Sequence, residues 1–106
     1  MVDVTDATFE SAVLARSDQV PVIVDLWAPW CGPCKTLTPI LERVVASANG
    51  SVELVKVNID ENQQLAVRYG VQSIPNMILF ENGEPKASAI GAQPKTALER
   101  SLGLDQ

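Results

Sequence analysis

Two spacings of apolar residues alternate along the chain. Short, nearly continuous apolar runs cover Val20 to Trp27, Val52 to Ile59 and Met77 to Phe80. Runs of that length suit strands covered on both faces. Val2-Asp3-Val4 is a shorter strand candidate, and Lys86 to Ile90 reads as an edge strand. Between the runs, apolar residues recur every three or four positions, as on a helix. Phe9, Val13 and Leu14 form the first such stripe, with Thr5 or Asp6 as its cap and Asp18-Gln19 as a turn after it. Leu37, Leu41, Val44, Val45 and Ala48 predict a helix over Cys34 to Ala48, kinked at Pro39 and stopped by Asn49-Gly50. Leu65, Ala66 and Tyr69 predict a third helix ending at Gly70, and Leu98 and Leu102 a fourth opened by Pro94.

The predicted order is therefore β-α-β-α-β-α-β-β-α. Alternation of strand and helix implies parallel pairing early in the chain. Glu81-Asn82-Gly83-Glu84, with Asn-Gly at its centre, implies a hairpin and an antiparallel pair late. The expected architecture is α/β, a mixed central sheet of about five strands flanked on both faces by about four helices. With 106 residues and no linker or repeat, one domain over 1–106 is expected.

Inside the strands the pattern is interrupted by charge. Alternation puts Ile23, Asp25 and Trp27 on one face and Val22, Val24 and Leu26 on the other. Asp25 is thus expected to be at least partly buried, one strand-end away from the cysteines. In the next run Val55, Val57 and Ile59 share one face, and Lys56 shares the opposite face with Leu54.

Composition excludes several classes of function. Net charge is −5, from 13 acidic and 8 basic residues, with no Lys/Arg cluster. Direct binding to nucleic acid or to an anionic membrane is not expected. No apolar run reaches the length of a membrane span. The opening Met-Val-Asp-Val-Thr-Asp lacks the basic and apolar regions of a secretory leader, so a reducing cytoplasm is the expected compartment.

The only two cysteines, Cys31 and Cys34, stand where an apolar strand gives way to a helical pattern. A helix start is positive, from its dipole and its unpartnered N–H groups, and stabilises a thiolate. Pro33 suits an early helical position, and a spacing of three lets Cys34 face Cys31. A structural zinc site needs about four ligands, and the chain has two Cys and no His. A c-type haem site needs His after the second Cys, where Lys35 stands. A purely structural disulfide closing so short a loop constrains the unfolded chain little. A redox-active dithiol remains. Without histidine, Asp25 is the candidate base for Cys34, and Lys56 would shift its ionisation.

Trp30-Cys31-Gly32-Pro33-Cys34 resembles the active-site signature of the thioredoxin family. The resemblance extends to Asp25, Trp27, Pro39, Lys56, Tyr69-Gly70, Ile74-Pro75, Gly83 and Gly91, and spans the chain. It implies a thioredoxin fold and a general protein-disulfide reductase that carries electrons through a reversible Cys31–Cys34 disulfide. No metal and no bound cofactor are expected. The implied partners are disulfide-containing proteins and a thioredoxin reductase, met by a monomer. From the residues alone, Ile74-Pro75 reads as a strand-initiating trans proline, the commoner isomer. The resemblance instead implies a cis turn packed against the dithiol. Trp30, Gly32, Pro33, Ile74, Pro75, Ile90, Gly91 and Ala92 would then form the substrate groove. Ser73 and Asn76 depart from the commonest family pattern, which has glycine and threonine there. Relatives that act as isomerases or oxidases usually carry His between the cysteines. The uncharged Gly32-Pro33 favours the reductant direction. A redox-gated binding module without turnover is the reading from a different class.

Overall fold

The computed structural model describes residues 1–105; Gln106, the last residue of the expected domain, lies outside the described residues. Five strands form one mixed sheet in the order β1-β3-β2-β4-β5. They are β1 (Val2–Asp3), β2 (Val22–Trp27), β3 (Glu53–Asn58), β4 (Asn76–Glu81) and β5 (Glu84–Ile90). Both β1 and β2 run parallel to β3, whereas β4 pairs antiparallel with β2 and β5. Among the described residues the helices are α1 (Glu10–Ala15, continued by a short turn over Arg16–Asp18), α2 (Gly32–Ser47), α3 (Gln63–Arg68) and α4 (Lys95–Ser101). This is the thioredoxin fold, in the order the apolar pattern predicts.

Each face of the sheet carries its own core. Val22, Val24 and Leu26 join Val55, Val57, Ile78 and Phe80 against Phe9, Val13 and Leu65 from α1 and α3. Phe9, Tyr69 and Phe80 close this core as an aromatic trio, with centroids 5.3–5.6 Å apart. On the other face Ile23, Met77, Leu79 and Ala89 pack against Leu37, Leu41 and Val44 of α2 and Leu98 and Leu102. Full burial of each large aliphatic or aromatic side chain contributes about 1.5–3 kcal/mol. The alternation read from the sequence thus divides β2 correctly between two cores. Asp25 and Trp27 follow Ile23 on the α2 side, at the strand end where that helix begins.

Three local features differ from the expectation. The first helix is wound as a wide π-type turn over Glu10–Ala15 and tightens to a 3-10 turn over Arg16–Asp18. Its end is tied to the hairpin: the Ser17 hydroxyl donates to the Leu14 carbonyl and accepts the Gly83 N–H at 2.8 Å. Asp6 does not cap its own helix. Its carboxylate accepts the Leu65 N–H, while Asn62 Oδ1 accepts the Asp6 N–H. Leu65 is the third residue of α3, so Asp6 supplies from a distant segment the cap that the Asn62 side chain does not. Thr5 accepts the Thr8 N–H locally. Finally, α2 starts at Gly32 rather than Cys34; Pro39 stands inside it, exposed, as the sequence places it.

The β4–β5 turn follows its sequence closely. Asn82 and Gly83 both adopt positive φ, 53° and 78°. That pair of values builds the two-residue turn whose twist matches the strands it joins.

Candidate active site

Cys31 is the N-cap of α2, with extended backbone, and its Sγ accepts the Cys34 N–H at 3.2 Å. Gly32 and Pro33 are the first two helical residues, where a missing proline N–H costs nothing. The spacing of three then brings the thiols together, and Cys31 and Cys34 form a disulfide with Cα atoms 5.3 Å apart. Both sulfur-bearing residues are buried in a small apolar cluster with Ala28, against which Trp27, Ile59 and Ile74 pack.

The predicted groove residues come together around this pair. Trp30 is 69% exposed, at the rim. Its indole Nε1 donates to the Asp60 carboxylate at 3.0 Å. The Ile74–Pro75 peptide is cis, as the resemblance implies and against the residue-only reading. Ile74 is half-buried beside the cysteines, and Pro75 is buried. The Gly91 N–H donates to the Pro75 carbonyl at 2.9 Å, which joins the end of β5 to the turn. Gly91 sits at φ +91°, a conformation that favours glycine. Ile90 and Ala92 are exposed on either side of it, and Gly32 and Pro33 are exposed at the helix start.

Behind the disulfide lies a pocket of about 410 Å³, lined by Asp25, Trp27, Cys34 and Lys56 with Met1, Lys35, Thr38 and Glu42. The sequence places Asp25, Cys34 and Lys56 together, and the register of β2 with β3 explains it, since Asp25 and Lys56 are direct partners. Asp25 is 2% exposed, and its Oδ1 has no hydrogen-bond partner among the described residues. Burial pushes its carboxyl up to about 7, against a smaller opposing pull from the Lys56 charge. Lys56 itself lies 4.9 Å above the Trp27 ring and 3.7 Å from Asp3 Oδ1.

Sequence reasoning passed over Asp60, Asp3 and the α2 residues Lys35, Thr38 and Glu42. The position of Asp60 was available in principle. It follows the carboxyl end of β3, beside the carboxyl end of its parallel neighbour β2, where sites of α/β sheets gather. Among the described residues, no cluster of three His, Cys, Asp or Glu is placed to hold a metal ion, and no helix is long and apolar enough to cross a membrane.

The thioredoxin family model matches residues 1–103. Relatives named thioredoxin align along most of their length. One from Rickettsia felis is 50% identical over 96 residues, covering 91% of this chain and 90% of the relative. Thioredoxin 1 of Nostoc is 46% identical over 99 residues, 93% and 91% of the two chains. The Haemophilus influenzae thioredoxin is 44% identical over 95 residues, 90% and 87%. Membership of this family brings with it disulfide-containing protein substrates and a reductase partner in general terms. A dithiol at a helix start, in a chain so matched, leaves one conclusion: the protein belongs to the thioredoxin family and is a protein thiol–disulfide oxidoreductase.

Proposed function

We propose that the protein works as a general reductant of protein disulfides, with Cys31 attacking and Cys34 resolving. The observation that carries this reading is the bond from the Cys34 N–H to Cys31 Sγ at the start of α2. The same N–H, with the helix dipole behind it, stabilises negative charge on Cys31 once the disulfide is reduced. The Cys31 thiolate attacks one sulfur of a substrate disulfide. The Cys31–substrate bond forms, and the other substrate sulfur leaves as a thiolate. Cys34, deprotonated by Asp25, then attacks Cys31 Sγ; the internal disulfide forms, and the second substrate thiolate leaves. Two electrons pass to the substrate, and Asp25 holds the Cys34 proton. Trp30, Ile74, Pro75, Ile90, Gly91 and Ala92, with Gly32 and Pro33, form the surface on which the substrate chain lies.

The dithiol needs no metal and no bound cofactor for this exchange. A thioredoxin reductase returns the oxidised form to the dithiol, so the protein is an electron carrier between that enzyme and its substrates. We place it in the cytoplasm as a monomer, where a net charge of −5 opposes self-association. Gly32-Pro33 puts no positive charge between the cysteines, which supports the reductant direction over oxidation or isomerisation.

Insulin-disulfide reduction, driven by NADPH and a reductase, tests the reading together with equilibration in glutathione buffers. Sustained turnover is expected, with the Cys31–Cys34 disulfide persisting at a glutathione poise that reduces a more oxidising centre. A dithiol that persists there instead argues for an oxidant or isomerase. A dithiol that never reduces insulin argues for a binding module.

A further inference from the structure

Lys56 stands between two carboxylates. Strand β3 lies between β1 and β2, and Lys56 is in register with Asp3 on one side and Asp25 on the other. Partners in register on neighbouring strands project to the same face, so three charges form a row across about 10 Å of sheet. The ammonium is shared unevenly. Its Nζ is 3.7 Å from Asp3 Oδ1, whereas Asp25 Oδ1 has no hydrogen-bond partner among the described residues. The Asp3 side chain is 74% exposed and Asp25 only 2%. The better-solvated acid thus has the closer hold on the cation.

We propose that Asp3 is a positioning residue for the redox reaction: by holding the Lys56 ammonium at the outer edge of the sheet, it keeps positive charge off Asp25 and preserves that carboxyl as a proton acceptor. Lys56 has a flexible stem, and its ammonium lies over the Trp27 ring, 4.9 Å from the centroid, with no hydrogen bond among the described residues to fix it there. Attraction to Asp25 acts through a less solvated region than attraction to Asp3, so a released ammonium moves inward. There it favours the ionised carboxylate and makes Asp25 a weaker base. Other charges face the same space. Lys35 and Glu42 line it from α2, Met1 lines it as well, and Glu61 shares an adjoining cleft with Asp3 and Lys56. Those groups are common to every variant below.

The kinetic consequence rests on the proposed role of Asp25, whereas the hold on its ionisation does not. The test is a carboxyl-carbon NMR titration of Asp25 in the disulfide form, where no thiol titrates alongside it. Asp3→Asn is expected to lower the Asp25 midpoint by about 0.2–0.7 pH unit, the size set by release of an exposed ion pair. Asp3→Glu restores it. In a Lys56→Met background Asp3→Asn moves it less, because only the direct effect of a distant charge is left. An unmoved midpoint, or equal shifts with and without Lys56, overturns the inference and leaves the role of Asp25 standing. The pH profile of the resolving step in the reduced protein is then compared. A profile that shifts with the midpoint supports both. A midpoint that moves while the profile stays fixed removes Asp25 as the base, and the hold of Asp3 on its ionisation survives.

Discussion

Asp25 is ionisable, nearly inaccessible to water, and has no hydrogen-bond donor on Oδ1 among the described residues. Its burial therefore costs stability whenever it is charged. The unfolded group titrates near 4, and the folded one is pushed up to about 7. Below pH 4 both states are protonated and no penalty exists. As pH rises from 4 to 7 the unfolded state ionises first, and stability falls. Above 7 the penalty is constant. Asp25→Ala is expected to gain stability over the wild type across that window, by up to about 4 kcal/mol at its upper end, less the packing lost with the side chain. Urea melts from pH 4 to 8 measure the difference. A mutant less stable at every pH and unimpaired in resolution by Cys34 in stopped-flow reduction would make Asp25 a structural residue and leave Cys34 without a base. The placement of Asp25 and Lys56 was legible in the sequence, because strand alternation fixes the face of each. Asp3 was not, because its partner depends on strand register, which no local pattern specifies; Asp60 was legible in its position after β3 but not in its partner Trp30.

Helix starts decide where the chemistry sits. Gly32-Pro33 moves the start of α2 ahead of Cys34, which leaves Cys31 at the cap with its sulfur on the Cys34 N–H. The apolar stripe showed the packed part of this helix but not its first turn, where Gly32 and Pro33 face solvent. The cap of α3 was hidden for another reason. Asn62 looks like a local cap, yet it binds the Asp6 N–H while Asp6 serves Leu65. This exchange fastens the segment between β1 and α1 to α3. Asp6→Ala should destabilise by about 0.5–2 kcal/mol, the range for loss of a helix cap. It should leave the rate of insulin reduction per folded molecule unchanged. Denaturant melts and single-turnover kinetics check the two halves of that statement. A slowed reaction in the folded mutant would mean that α3 reaches the dithiol more directly than Asp60 and Trp30 suggest.

Across the whole molecule, the sheet joins two cores, and the dithiol lies at one end of the boundary between them. The parallel β1-β3-β2 half brings the carboxyl ends of β2 and β3 together, which sets Trp30, next to Cys31, against Asp60, with Asp25 behind the disulfide. The antiparallel half brings the Pro75 turn and Gly91 to the same end. Element order and hairpin were readable from apolar spacing and from Asn82-Gly83. The sheet order was not derivable from that spacing, because the pairing of strands distant in sequence leaves no local signal. The central claim is that this assembly makes Cys31 the attacking sulfur and Cys34 the resolving one. The most direct test incubates reduced Cys34→Ser and Cys31→Ser proteins with insulin, followed by non-reducing electrophoresis and peptide mapping. The account predicts that Cys34→Ser accumulates a covalent adduct through Cys31, dissolved by added dithiol, while Cys31→Ser accumulates little or none. An adduct through Cys34 in the Cys31→Ser protein, with none in Cys34→Ser, would contradict it.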